Sequence, residues 1–298
     1  MKSILKKIAY IIAKNLKYFP FYEKFVVQNC KVGLYKKNIF SKFINILFWS
    51  EYYHRSLPER IHIQSKLMGG EVGAKWADKY NEARKSFPPL KGDKKVGNLD
   101  WHEASLGFQF VKNLIKKDSQ NTCLIQLGAS SGKEISYFSK TFSECEFIYT
   151  DIFEETTTYA KSKFYNSNLK YVTCPAECIP ALAEISKRKK IIIFSSGSAQ
   201  YVFPENLEFT FKLLSEVQNK EIHIIFDEPG NCLNINPETL KGSHPRGNFS
   251  YTHNYKFYAE RYGFRTSKWH IIQPYLPQEK FFPNHQGTVH LTGWFIKY

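Results

Sequence analysis

The stretch that decides the fold is Thr122-Cys-Leu-Ile-Gln-Leu-Gly-Ala-Ser-Ser-Gly-Lys-Glu-Ile-Ser-Tyr-Phe-Ser-Lys140, with Glu146-Phe-Ile-Tyr-Thr-Asp151 close behind it. Thr122 to Leu127 is a short apolar run of the kind that parallel sheets bury on both faces. Gly128 to Gly132 make a turn of small residues, and Lys133 to Lys140 begin a helix. Glu146 to Thr150 predict a second strand that leaves Asp151 at its carboxyl end. Glycine tolerates φ > 0 and lets a ligand approach the backbone closely. A helix start offers unpaired N–H groups that suit a carboxylate or phosphate. A carboxylate at a strand tip accepts from both hydroxyls of a ribose, each charge-assisted bond contributing roughly 1.5–3 kcal/mol. Many α/β proteins carry a glycine turn that binds nothing. The acid at the next strand's end turns this one into a predicted adenosyl-ligand site.

Strands continue downstream. Leu169-Lys-Tyr-Val-Thr-Cys174 is a third, followed by Pro175-Ala176-Glu177. Lys190 to Ser196 is a fourth, running through Ser195 and Ser196 into Gly197-Ser-Ala-Gln200-Tyr201. Glu221 to Asp227 is a fifth, closing in Glu228-Pro229. Tyr255 to Tyr262 reads as a helix, with Gly263 as its C-terminal stop. Trp269 to Tyr275 and Thr288 to Tyr298 are two β-rich runs joined by a loop, an arrangement that predicts an antiparallel finish.

Residues 122–298 resemble a class I S-adenosylmethionine-dependent methyltransferase. The first strand of that family ends in Asp/Glu-x-Gly-x-Gly-x-Gly. Here Gln126-Leu-Gly128-Ala129-Ser130-Ser131-Gly132 puts an amide where the acid stands and a serine at the middle glycine. The resemblance implies a Rossmann-like α/β fold: a mostly parallel seven-stranded sheet, an antiparallel C-terminal strand and helices on both faces. It implies S-adenosylmethionine as cofactor, held by Gln126 and the turn to Gly132, by Asp151 and Ile152, by Ala176 and Glu177, and by Ser195 and Ser196. Gln200 and Tyr201 would orient the acceptor. Phe194-Ser-Ser-Gly-Ser-Ala-Gln-Tyr-Val202, Phe226-Asp-Glu-Pro229 and Tyr251-Thr-His-Asn-Tyr255 are similar to a poorly described bacterial group often found with surface-polysaccharide assembly. That likeness implies O-methylation of a sugar or glycolipid precursor, although fold alone does not fix an acceptor. Three other readings share the turn and Asp151: a dinucleotide-dependent oxidoreductase, a non-catalytic scaffold, and an RNA methyltransferase.

In-line methyl transfer requires an aligned acceptor, exclusion of water and, for a hydroxyl, a base. Asp227 at the fifth strand's tip and His253 in the Asn-, Pro- and Gly-rich loop Gly230–Asn254 are the candidate bases. Asp227, Glu228 and His253 have donor atoms suited to magnesium, but their spacing does not call for it, and no metal is expected.

The chain of 298 residues suits one large α/β domain with an extension. The Pro/Gly/Lys stretch Phe87 to Gly97 marks the linker, giving a basic extension over 1–100 and a catalytic domain over 101–298. Trp101, His102 and Glu103 open a predicted helix that leads into the first strand. The cysteines Cys30, Cys123, Cys145, Cys174, Cys178 and Cys232 form no regular framework, as in a reducing, cytoplasmic setting. Residues 1–50 hold ten lysines against Glu23 alone, so this segment carries +9 of the formal net charge of +15. On a helical wheel Ile4, Leu5, Ile8, Ile11, Ile12, Leu16 and Phe19 share one half, while Lys2, Lys6, Lys7, Lys14 and Lys17 share the other. The lysines interrupt the run far short of the ~20 apolar residues that span a bilayer. Residues 1–20 therefore either lie on an anionic membrane at its inner face or pack on protein. A nucleic-acid partner is not expected, since no known binding module is present. The acceptor is a small molecule or glycan.

Overall fold

The computed structural model describes Ile11 and residues 105–231, 239–246, 250–272 and 288–298. The chain divides into two compact units, Met1–Leu67 and Met68–Tyr298. The basic amphipathic segment apart from Ile11, the boundary at residue 100, the linker, Trp101 to Glu103, Cys30 and Cys232 all lie outside the described residues. Ile11 is helical and exposed. Among the described residues no helix is long and apolar enough to cross a membrane, and all cysteines are free thiols.

Helix α1 (Leu106–Lys117) leads into β1 (Thr122–Leu127), α2 (Lys133–Thr141), β2 (Glu146–Asp151), α3 (Glu154–Lys163) and β3 (Leu169–Thr173). A 3₁₀ turn at Ala176–Cys178 and α4 (Ile179–Ile185) precede β4 (Lys190–Ser196). A second 3₁₀ turn, Ala199–Tyr201, leads to α5 (Pro204–Glu216) and β5 (Glu221–Asn231). The hairpin β6 (Ser243–Arg246) and β7 (Ser250–His253), helix α6 (Tyr255–Arg261), β8 (Arg265–Ile272) and β9 (Thr288–Lys297) complete the described chain.

Local chemistry accounts for the helix ends. Ser105 caps α1 by accepting from the Phe108 N–H at 3.2 Å, and Lys116 and Lys117 meet the negative end of its dipole. Asn254 caps α6 in the same way through the Phe257 N–H at 3.1 Å. That helix stops where Gly263 takes φ +78° and Phe264 N–H donates back to Ala259, the stop the sequence predicts.

The large sheet has the order β3-β2-β1-β4-β5-β9-β8. Strands β1 to β5 pair in parallel, and β9 runs antiparallel to both of its neighbours, so β8 is again parallel to the rest. Every residue of β1 is buried, which explains its unbroken apolar reading. On one face, Leu124, Phe194 and Ile225 pack against Phe108 and Val111 of α1 and Phe138 of α2. On the other, Ile125, Ile193, Ile224 and Phe226 meet α4, α5 and α6 through Ile179, Phe211 and Tyr255. Both cores hold the same strands, so their carboxyl ends are fixed from two sides.

Two stretches differ from the sequence expectation. Strand β5 does not end at Asp227 but continues to Asn231, because β9 is long enough to pair it from Asp227↔Thr292 to Asn231↔Thr288. The expected loop Gly230–Asn254 contains the β6–β7 hairpin, in which Ser243 faces His253 and Arg246 faces Ser250. Four-residue strands containing Pro245 and His244 show no alternation to read.

Phe108 is buried and stacks on Phe138 with ring centroids 4.3 Å apart. Phe108→Ala is expected to lower stability by about 3–5 kcal/mol, read as a shift in the urea midpoint with unchanged slope.

Candidate active site

The turn after β1 is held in left-handed geometry at three positions: Gly128 at φ +61°, Ser130 at +49° and Gly132 at +80°. Serine at φ > 0 is strained by about 1–3 kcal/mol, and three hydrogen bonds around it supply the compensation. Ala129 N–H donates to the Thr150 carbonyl at 2.8 Å, Ser130 N–H to Asp151 Oδ2 at 3.1 Å, and Tyr149 O–H to the Ser130 carbonyl at 2.7 Å. The turn is thus tied to β2.

The glycines have a packing role that the sequence did not suggest. A Cβ on Gly128 would stand 2.5 Å from Ser198 Cβ, and one on Gly132 would stand 3.1 Å from Ala160 Cβ of α3. The space left by the missing side chains is occupied by the loop after β4 and by α3. Ser198 also donates its hydroxyl to the Gly128 carbonyl at 2.7 Å.

Asp151 is 4% exposed. Its Oδ1 accepts from the Phe153 N–H at 3.1 Å, and Oδ2 from Ser130. A carboxylate offers about four lone-pair sites; with the Ile152 N–H also acting on it, one remains for a ligand hydroxyl. Burial pushes its pKa up to about 7, against the pull of the backbone N–H groups. Beside it Ile152 is half-exposed. Gln126 donates through Nε2 to Glu134 on α2, which returns a carboxylate to the tip of β1. Gln126 Oε1 is buried with no hydrogen-bond partner. Ala129, Ser131 and Ala176 are buried, while Glu177 and Ser196 are partly exposed.

Ser195 is fully buried, and its hydroxyl donates to Glu228 Oε1 at 2.6 Å. The same carboxylate accepts from the N–H groups of Ser198 at 3.1 Å, Ala199 at 3.0 Å and Gln200 at 3.4 Å. Burial still raises Glu228 to about 7. Gln200 is buried, and Tyr201 lies partly exposed beside it at the end of the same 3₁₀ turn.

The two candidate bases sit differently. His253 is fully buried, pairs through Nδ1 with Ser243 Oγ at 2.6 Å, and is pushed down to about 3 by burial. Asp227 is buried too, and accepts from Thr292 Oγ1 at 2.9 Å, from the Ser105 hydroxyl and from His290 Nε2. Burial raises its pKa, but these donors outweigh burial and hold it below the usual carboxylate range. In return Asp227 raises His290 above the ordinary histidine value against the opposing effect of burial. The His290 side chain is 17% exposed where Asp227 is 1%. Sequence reading missed His290 because it stands in a run read as strand. Its one signal is the His290-x-Thr292 alternation, which acquires meaning only opposite Asp227.

Asp227, Glu228 and His253 each serve different partners. Among the described residues no three His, Cys, Asp or Glu side chains are grouped to hold a metal ion.

No family model matches the chain, and no curated protein matches it. Solved structures similar in fold include a Synechocystis magnesium protoporphyrin IX methyltransferase with bound SAM, at 10% identity over 82% of this chain and 98% of that one, TM-score 0.45. An Aquifex aeolicus SAM-dependent methyltransferase is similar at 12% identity over 75% and 97%, TM-score 0.45. A Leishmania major SAM-dependent methyltransferase is similar at 15% identity over 80% and 91%, TM-score 0.40. The strand order with β9 alone reversed is the mostly parallel, Rossmann-like seven-stranded sheet with an antiparallel C-terminal strand that the sequence resemblance implies.

Gly128→Ala is expected to destabilise by about 1–3 kcal/mol or more, since strain at positive φ adds to the clash with Ser198. Thermal denaturation checks this, with Gly197→Ala, where a Cβ meets nothing within 4 Å, isolating the backbone part.

Proposed function

We propose that the protein is an S-adenosylmethionine-dependent methyltransferase that methylates a hydroxyl of a sugar or glycolipid precursor. The observation that carries the donor assignment is Asp151. It is a buried carboxylate at the end of β2, locked to the left-handed turn, with an acceptor site left over. The chemistry of the remaining groups fits the same donor. The orphan Gln126 Oε1 and the neighbouring Glu134 carboxylate suit the N–H groups of an α-ammonium. The donor, when bound, supplies a methyl group on a sulfonium. Ala129, Ser131 and Ala176 give walls, with Ile152 and Glu177 at the rim and Ser196 at the tip of β4. Ser195 acts from behind, through Glu228.

Proton removal falls to His290. Asp227, bonded to it, fixes the imidazole and favours the imidazolium that forms when an acceptor hydroxyl gives up its proton. We assign this role to His290 rather than His253, whose ring is enclosed and too weakly basic. Gln200 and Tyr201 orient the acceptor. The sugar or glycolipid class rests on the sequence likeness, and a lipid-linked acceptor would bring the basic segment 1–20 to an anionic membrane.

Calorimetry with S-adenosylmethionine and its demethylated product tests the donor site. Asp151→Ala is expected to weaken both by roughly tenfold to a hundredfold, the worth of a charge-assisted bond. Equal affinity in the mutant would reject the assignment.

Asp151 keeps its proton until about pH 7, and ribose hydroxyls donate best to the ionised form. Donor affinity of the wild type is therefore expected to rise as pH increases through about 7. Asp151→Asn should flatten that rise, which separates Asp151 from Glu228.

For the base, labelled donor and a cell-envelope glycolipid fraction provide the assay. His290→Ala is expected to slow transfer by about 10²–10⁴-fold with donor affinity unchanged. Asp227→Asn removes the group that raises His290, so the acid limb of the rate profile should move to lower pH.

A further inference from the structure

Arg246 is a cation without a contacting counterion among the described residues. It sits on β6, partly exposed, and among the described residues no carboxylate lies within ion-pair distance of it. One terminal nitrogen donates to Gln200 Oε1. Its Nε is enclosed and has no hydrogen-bond partner. Close enough to act on its charge stand Tyr201, Tyr255 and Glu228. The Tyr255 hydroxyl is also enclosed and unpartnered, on a ring 1% exposed that stacks on Phe226 at 4.1 Å. Glu228, the one acid of this group, already accepts from Ser195, Ser198, Ala199 and Gln200.

Such an arrangement is costly as it stands. A charge removed from water is tolerated when paired and hydrogen-bonded, and this guanidinium, with a bond to Gln200 but an enclosed, idle Nε and no contacting acid among the described residues, is only partly so. Burial accordingly lowers the pKa of Arg246. The fork of an arginine matches the two oxygens of a carboxylate or phosphate, with spare donors for both. The unpartnered Tyr255 O–H, near enough to act on the Arg246 charge, supplies a further neutral donor.

The geometry points to an anion subsite at Arg246, Tyr255 and Tyr201, which takes a carboxylate or phosphate carried by the acceptor. Its place supports this. Gln200 and Tyr201 belong to the turn after β4, and β6 follows β5, the strand on which Asp227 meets His290. An acidic group held by Arg246 would anchor a sugar whose hydroxyl faces His290. The inference rests on the methyltransferase reading for the word acceptor, and it narrows that acceptor to an acidic one: a uronate-type or phosphorylated sugar rather than a neutral glycan. Gln200, bonded on one side to Arg246 and on the other to Glu228, holds the guanidinium in position.

The test uses the full chain and simple probes: inorganic phosphate, glucuronate and neutral glucose at up to about 20 mM, an affinity range open to a single anion contact. Binding is followed by calorimetry or ligand-observed NMR, with S-adenosylmethionine affinity measured on the same samples. The wild type is expected to bind phosphate or glucuronate, and which of the two tells the source. Glucose should not bind. Arg246→Gln should weaken the anion by at least about tenfold, Arg246→Lys by less, and Tyr255→Phe by a few-fold, each leaving donor affinity within about twofold. Tyr255→Phe keeps the test valid should Arg246→Gln fail to fold. The subsite is overturned if the wild type binds neither anion, or if the folded variants bind it unchanged. It is equally overturned if Arg246→Gln weakens S-adenosylmethionine as much as the anion, because the arginine would then serve the donor's own carboxylate. Anion binding that Arg246 controls, in a protein that binds no S-adenosylmethionine, would retain the subsite and reject the methyltransferase reading instead.

Discussion

Glu228 organises this site without touching its surface. The carboxylate has no exposed area and draws in one hydroxyl and three backbone N–H groups from the segment after β4. Those bonds fold the segment back over the sheet edge. As a result Ser198 packs into the space above Gly128, and Gln200 reaches Arg246. The turn after β1 and the segment after β4 are therefore joined through one buried acid. Four donors favour its charged form and burial disfavours it; burial wins, so Glu228 titrates near neutrality rather than in the usual carboxylate range.

Parallel pairing explains why chemistry collects at one edge. Strands β1, β2, β4 and β5 all point the same way, so Gln126, Asp151, Ser196 and Asp227 finish side by side. Reversing β9 adds something the parallel strands cannot. An antiparallel partner enters the edge from outside, and its first residues extend β5 past the end of the sheet. His290 and Thr292 arrive on that ribbon to meet Asp227, whose place in the chain is 63 residues before His290. The tip of α1 closes the same corner, where a Cβ on Gly107 would stand 2.7 Å from Asp227 Cβ.

The carboxylates of the edge divide by environment. Asp151 and Glu228 are raised by burial, whereas Asp227 is held low by His290, Ser105 and Thr292. Two histidines divide in the same way: His253 loses its basicity inside the β6–β7 hairpin, and His290 gains basicity from a carboxylate. The sequence singled out His253 and passed over His290; the partner each one found separates them.

Much of the architecture was legible in the chain. The unbroken apolar runs of β1, β4 and β5, the turn at Gly128–Gly132, Asp151 at its strand end and the stop at Gly263 are local signals, set by burial on two faces and by φ > 0. The antiparallel finish was legible too, from two β-rich runs joined by a loop. What the tertiary structure alone decided is which side chains share an environment: Ser198 on Gly128, Gln126 on Glu134, Glu228 under the 3₁₀ turn, His290 on Asp227, and Arg246 on Gln200. A strand's periodicity encodes which face is buried, but it carries no information about which distant strand lies alongside. Desolvation and hydrogen-bond partners, which set every charge in this site, exist only once that pairing is made.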